Sequence, residues 1–79
     1  MDYNDMLKIA VGKLGPENSR IIDDLNECIR AGCTGGEIDS MVGKYVKDLY
    51  IHNIDAYTVM KEDITKYLLE LAKRGLIIR

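Results

Sequence analysis

The chain has 79 residues, 47% of them apolar and 30% charged, with a formal net charge of −2, a composition that describes one globular domain rather than a disordered segment. No apolar run approaches the roughly 20 residues of a membrane helix, and the opening Met1-Asp2-Tyr3-Asn4-Asp5 is acidic where a secretory leader is basic, so the expectation is a cytoplasmic protein with no membrane partner. A domain this small buries only about 60% of the surface its unfolded chain exposes, which makes a partner or a second copy an expected source of stability.

In chain order, a first helix is expected from Tyr3 to Leu14, because Met6, Leu7, Ala10, Val11 and Leu14 recur at three- and four-residue spacing. Gly15-Pro16 ends it. Proline suits a first helical position, so Pro16 also opens a second helix to Ala31, with Ile21, Ile22, Leu25, Cys28 and Ile29 inward and Gly32 as its left-handed stop.

Thr34-Gly35-Gly36-Glu37 has the form of a capping box, in which hydroxyl and carboxylate each satisfy a free backbone donor. The stripe Ile38, Val42, Tyr45, Val46, Leu49 then carries a third helix to an end between Asp48 and Ile51. Gly43 costs that helix about 1 kcal/mol relative to alanine. His52-Asn53 reads as a break, Ile51 to Tyr57 as a connector, and Asp55 or Thr58 as the next cap.

The fourth helix, Thr58 to Arg74, buries Met60, Ile64, Tyr67, Leu68 and Leu71. Glu62, Lys66, Glu70 and Arg74 follow one another at four-residue steps on its other side, where acid-first pairs support a helix. Gly75 stops it, and Leu76-Ile77-Ile78 is either a short strand needing a pairing partner or an extended tail capping the core. The fold class is therefore all-α, or mainly α with one short C-terminal strand, in four helices. Its expected core is Leu7, Val11, Ile22, Leu25, Ile29, Ile38, Val42, Val46, Leu49, Ile64, Leu68 and Leu71.

The charge is unevenly shared. Residues 1–43 hold four Lys/Arg against eight Asp/Glu, and residues 44–79 hold seven against five, while a pI near 5.3 counts against general nucleic-acid affinity. Cys28, Cys33 and the single His52 are too few for a tetrahedral zinc site, and Gly35-Gly36 lacks the Lys-Ser/Thr completion of a phosphate loop. No metal and no cofactor is expected. His52 with Asp55 is the nearest thing to a base and its orienter, but a lone histidine in a connector is ordinarily a surface residue, so no catalytic set presents itself. Five tyrosines without Phe or Trp place amphipathic rings at half-buried positions. Tyr50 and Tyr57, with Leu76, Ile77 and Ile78, form the candidate protein interface.

Two resemblances follow from these residues. Residues 16–79, with the helix Ile21 to Ala31, Thr34-Gly35-Gly36-Glu37-Ile38, and Leu68-Leu69-Glu70-Leu71-Ala72-Lys73-Arg74-Gly75-Leu76-Ile77, resemble winged helix-turn-helix domains. That resemblance implies a last helix lying in the DNA major groove, with Tyr57, Thr58, Lys61, Thr65 and Lys66 on its reading side and Arg79 beside a wing. Asp39-Ser40-Met41 is similar to the site at which acyl carrier proteins receive phosphopantetheine, and implies modification at Ser40. Glu62 and Asp63 would face phosphates in the first case, and a second wing strand is missing. The expectation is therefore a non-enzymatic adaptor or inhibitor of phage, plasmid or immunity type, binding a protein partner or itself as a homodimer through the C-terminal strand. A winged-helix regulator binding duplex DNA comes second.

Overall fold

The computed structural model describes residues 1–78 and holds four helices: α1 (Tyr3–Lys13), α2 (Ser19–Ala31), α3 (Gly35–His52) and α4 (Ile54–Lys73). A single 3-10 turn, Pro16–Asn18, leads into α2. The helices are antiparallel to their neighbours. Asp39 at the start of α3 reaches Tyr67 and Arg74 at the end of α4, Tyr45 reaches back to Asp24 of α2, and Lys13 pairs with Asp63 at 2.6 Å to fix α1 against α4.

Local chemistry explains most of the boundaries. Asp2 accepts from the Asp5 N–H while Asp5 accepts from the Asp2 N–H, a reciprocal box that starts α1. At α3 the Thr34 hydroxyl accepts from the Glu37 N–H at 3.1 Å, so the expected cap is present in that half. The α2 start shifts to Ser19 because Pro16, with its fixed φ and missing N–H, is accommodated in the 3-10 turn instead. The left-handed stop expected at Gly32 is absent, since its φ is −77° and ψ 143°. Glycine serves close approach there: a Cβ would press on Ile38 Cγ1 and lie 3.1 Å from the Ile38 nitrogen.

The connector expected over Ile51 to Tyr57 is helix on both sides. Only Asn53 separates α3 from α4, and its side-chain oxygen accepts from the Ala56 N–H at 3.1 Å. That bond supplies the cap expected of Asp55 or Thr58. The expected C-terminal strand is likewise absent among the described residues. Leu76 to Ile78 has no regular secondary structure, with Leu76 and Ile78 half-buried on the core, because no second strand lies beside it.

The core joins Met6, Ala10, Ile21, Leu25, Ile38, Val42, Val46, Leu49, Ala56, Met60, Ile64, Tyr67 and Leu71. Val11, expected inside, is 58% exposed, because the buried face of α1 is centred on Met6 and Ala10, and residue 11 is rotated away by one step of the helix. Leu7, Ile22, Ile29 and Leu68 are half-buried and flank the core. Among the described residues one charged group lies inside: Asp39 is 3% exposed. The Tyr67 hydroxyl donates to its Oδ1 at 2.6 Å, and Arg74 Nη2 stands 3.3 Å from its Oδ2, so both carboxylate oxygens are engaged, as burial of a charge requires. Arg74 thus pairs across helices, and neither Glu70–Arg74 nor Glu62–Lys66 is an ion pair among the described residues.

Candidate functional site

The joint between α3 and α4 gathers exposed apolar surface. Tyr50 is 63% exposed, Ile51 72% and Ile54 51%, on either side of Asn53. Tyr57 is half-buried beside Tyr50, ring centroids 5.7 Å apart and planes at 70°. This is the edge-to-face arrangement that the ring quadrupoles favour. Lys47, Asp48, Tyr50, Ile51 and Tyr57 line a groove there.

The tail is tied to the same region. Lys47 Nζ donates to the Ile78 carbonyl at 3.2 Å, while Ile77 between its two half-buried neighbours is 72% exposed. The expected interface residues Tyr50, Tyr57, Leu76, Ile77 and Ile78 are therefore linked through Lys47. Ile51 and Ile54 escaped the sequence reading because they fell in the supposed connector. Their signal was the unbroken apolar series Tyr50, Ile51, Ile54, Tyr57 at three- and four-residue steps.

The residues implied by the winged-helix resemblance fall in two places. Thr58, Lys61, Thr65 and Lys66 are exposed on α4, and Lys61, Thr65 and Lys66 share a shallow groove with Glu62 and Leu69. Tyr57 instead turns toward Tyr50, and Arg79 lies outside the described residues. The cations do not share one setting: Lys44 pairs with Asp48 at 3.1 Å, Lys47 holds the tail, and Lys73 lies beside Asp2, Asp5 and Glu70.

A cleft between α2 and the end of α3 contains Arg20, Asp24, Tyr45 and His52 over Ile21 and Leu49. The Tyr45 hydroxyl donates to Asp24 Oδ2 at 2.7 Å, Arg20 lies 3.5 Å from Asp24 Oδ1, and Asn53 Nδ2 donates to Asn18 Oδ1 at 3.2 Å. The Tyr45–Asp24 and Asn53–Asn18 bonds join α2 and the turn before it to the end of α3, while Arg20 pairs with Asp24 within α2. Burial, then the Asp24 hydrogen bond, pushes the Tyr45 phenol well above the ordinary tyrosine range, so it stays a neutral donor. His52 is exposed on the rim, and Asp55 starts α4 beyond Asn53. Cys28 is half-buried with its thiol pushed up by desolvation, and Cys33 is exposed. Among the described residues no three His, Cys, Asp or Glu side chains converge as metal ligands, and no helix is long and apolar enough to cross a membrane.

At the Asp-Ser-Met segment, Asp39 is spent on Tyr67 and Arg74, and Ser40 is half-buried beside it. Comparison with known proteins returns no match: no family model, no curated protein and no solved structure is similar enough to this chain to count.

Proposed function

We propose that this chain is a small non-enzymatic binding domain, an adaptor or inhibitor that engages another protein through the α3–α4 joint. One observation carries the reading: Tyr50, Ile51 and Ile54 stand more than half exposed within five residues, continuous with the Tyr57 ring and the tail. Scattered apolar residues are ordinary on a protein surface, whereas a cluster beside fixed aromatic rings is the composition of an interface centre. Such a surface is costly to leave in water and gains most when a partner covers it.

The test compares Ile51→Glu with Val11→Glu, two charges placed at exposed apolar positions on different helices. A partner captured from the source cell by the native chain and by Val11→Glu, and lost with Ile51→Glu, supports the joint as the interface. Equal capture by all three sinks it. Sedimentation of the native chain over a concentration series shows whether the partner is a second copy.

A second reading draws on Lys61, Thr65 and Lys66 sharing one outward groove of α4, the helix that the winged-helix resemblance assigns to DNA. Anisotropy of a labelled random-sequence duplex, titrated at low salt and again as salt rises, tests it. Steeply salt-dependent binding, weakened by Lys66→Ala, promotes the regulator; no binding at low salt leaves the protein partner.

A further inference from the structure

The end of α4 does not release the chain into solvent. The Leu76 N–H donates to the Leu71 carbonyl at 2.8 Å, and Gly75 takes φ 90°, a left-handed conformation open to glycine without steric cost. Together they turn the tail back over the seam between α3 and α4. Facing the tail is Gly43, buried in the middle of α3. A Cβ at Gly43 would lie 3.0 Å from Ile78 Cγ1 and 3.1 Å from Leu71 Cδ1. The missing side chain is therefore a notch, and Ile78 fills it. Lys47, one turn further along α3, closes the notch by donating to the Ile78 carbonyl.

Among the described residues, the tail beyond Leu76 is thus held by the Ile78 side chain and one side-chain hydrogen bond, whereas α4 is held by its backbone ladder. Attachments of that kind open at the low end of the range of local stabilities. Lys47 also lines the Tyr50–Tyr57 groove, so the notch and the groove are neighbouring stretches of one seam.

We propose that Leu76–Ile78 is a releasable strap, and that the Gly43 notch is a docking site for an extended segment of a partner protein bearing a branched aliphatic side chain. The strap itself displays what the notch accepts: a β-branched side chain against bare helix backbone, with the carbonyl of the same residue held by a lysine. Tethering keeps the strap at a local concentration in about the millimolar range, so a partner segment displaces it only by adding contacts further along the seam. Tyr50 and Ile51 supply that surface. The identity of the competing chain rests on the protein-binding reading, but the notch and its strap are testable without any partner.

The probe is the tetrapeptide of residues 75–78, acetylated and amidated, titrated into isotope-labelled full-length protein while the amide resonances of Gly43 and Lys47 are followed. Ile78→Ser, which empties the notch, is expected to give saturable shifts at both amides, with the native chain at least about tenfold weaker because its own strap competes. Adding Gly43→Ala to Ile78→Ser fills the notch and is expected to abolish the shifts. Ile78→Ala, a second way of emptying the notch, is expected to repeat the Ile78→Ser result. No saturable shift in either emptied variant overturns the proposal, as does equal affinity for the native chain. Loss of the folded spectrum in both variants also overturns it, since the tail would then be integral core. The tetrapeptide shifts in Ile78→Ser report on the notch alone, while partner capture by the native chain reports on the joint, so failure at the joint and failure at the notch are told apart.

Discussion

The Tyr67 hydroxyl donates to Asp39 Oδ1 at 2.6 Å in the interior, joining the first turns of α3 to the last turns of α4. Tyr67→Phe keeps the ring and removes the donor, leaving Asp39 buried with Arg74 as its remaining side-chain partner. An unsatisfied buried acceptor costs about 1–3 kcal/mol, more when it is charged. The expected result is a lower urea midpoint at unchanged slope, since the same surface is exposed on unfolding. A midpoint equal to the native one would mean that Asp39 finds water or Arg74 at no cost.

The same bond sets an alkaline limit on stability. Burial first, then the hydrogen bond to an aspartate, raises the Tyr67 phenol above its ordinary value, and the same causes act on Tyr45 through Asp24. Both rings hold their protons in the fold while the unfolded chain releases them from about pH 10 upward. Above that pH the native state binds more protons than the unfolded state, so stability falls as pH rises. Denaturation midpoints are expected to drop through pH 10 to 11 in the native chain and to drop less steeply in Tyr45→Phe combined with Tyr67→Phe. An equal slope in the double variant would assign alkaline sensitivity to other groups.

Helix existence was legible in the sequence, while the joints were less so. Thr34 announced its own helix, because a hydroxyl with a free amide three residues on is a local arrangement that needs no tertiary help. Asn53 concealed the α3–α4 joint: asparagine reads as a break, yet a single residue with φ −156° and ψ 82° both ends one helix and caps the next. The neighbours Ile51 and Ile54 then looked like loop residues, and with them went most of the candidate site. The Asp39–Tyr67 bond links residues 28 apart in sequence, and no periodicity reports such a contact. The tail's fold onto Gly43 was hidden for the same reason.

Asn53 should accordingly be more sensitive than a loop residue. Its oxygen caps α4 through the Ala56 N–H, and its nitrogen donates to Asn18 Oδ1 across to the turn before α2. Asn53→Ala removes both, with an expected loss of about 0.5–2 kcal/mol for the cap alone. Asn53→Asp restores the cap acceptor and not the donor to Asn18, so it is expected to recover part of the loss. Thermal unfolding of the three chains separates the two bonds.

The phase of α4 makes a final, graded prediction. Leu71 is fully buried and touches the space above Gly43, Leu68 is half-buried at the edge of the core, and Leu69 is more than half exposed. Deleting a buried leucine side chain loses its transfer free energy and leaves a cavity, about 2–5 kcal/mol together. In a domain with little stability to spare, Leu71→Ala is expected to lie near the limit of folding. Leu68→Ala should cost clearly less because water already reaches part of its side chain, and Leu69→Ala should stay within about 0.5 kcal/mol of the native chain. Urea midpoints in the order Leu69→Ala, Leu68→Ala, Leu71→Ala from highest to lowest fix the helix rotation. An inverted order of the last two would place residue 68, not 71, against α3, and would remove Leu71 from the wall of the notch that Ile78 fills.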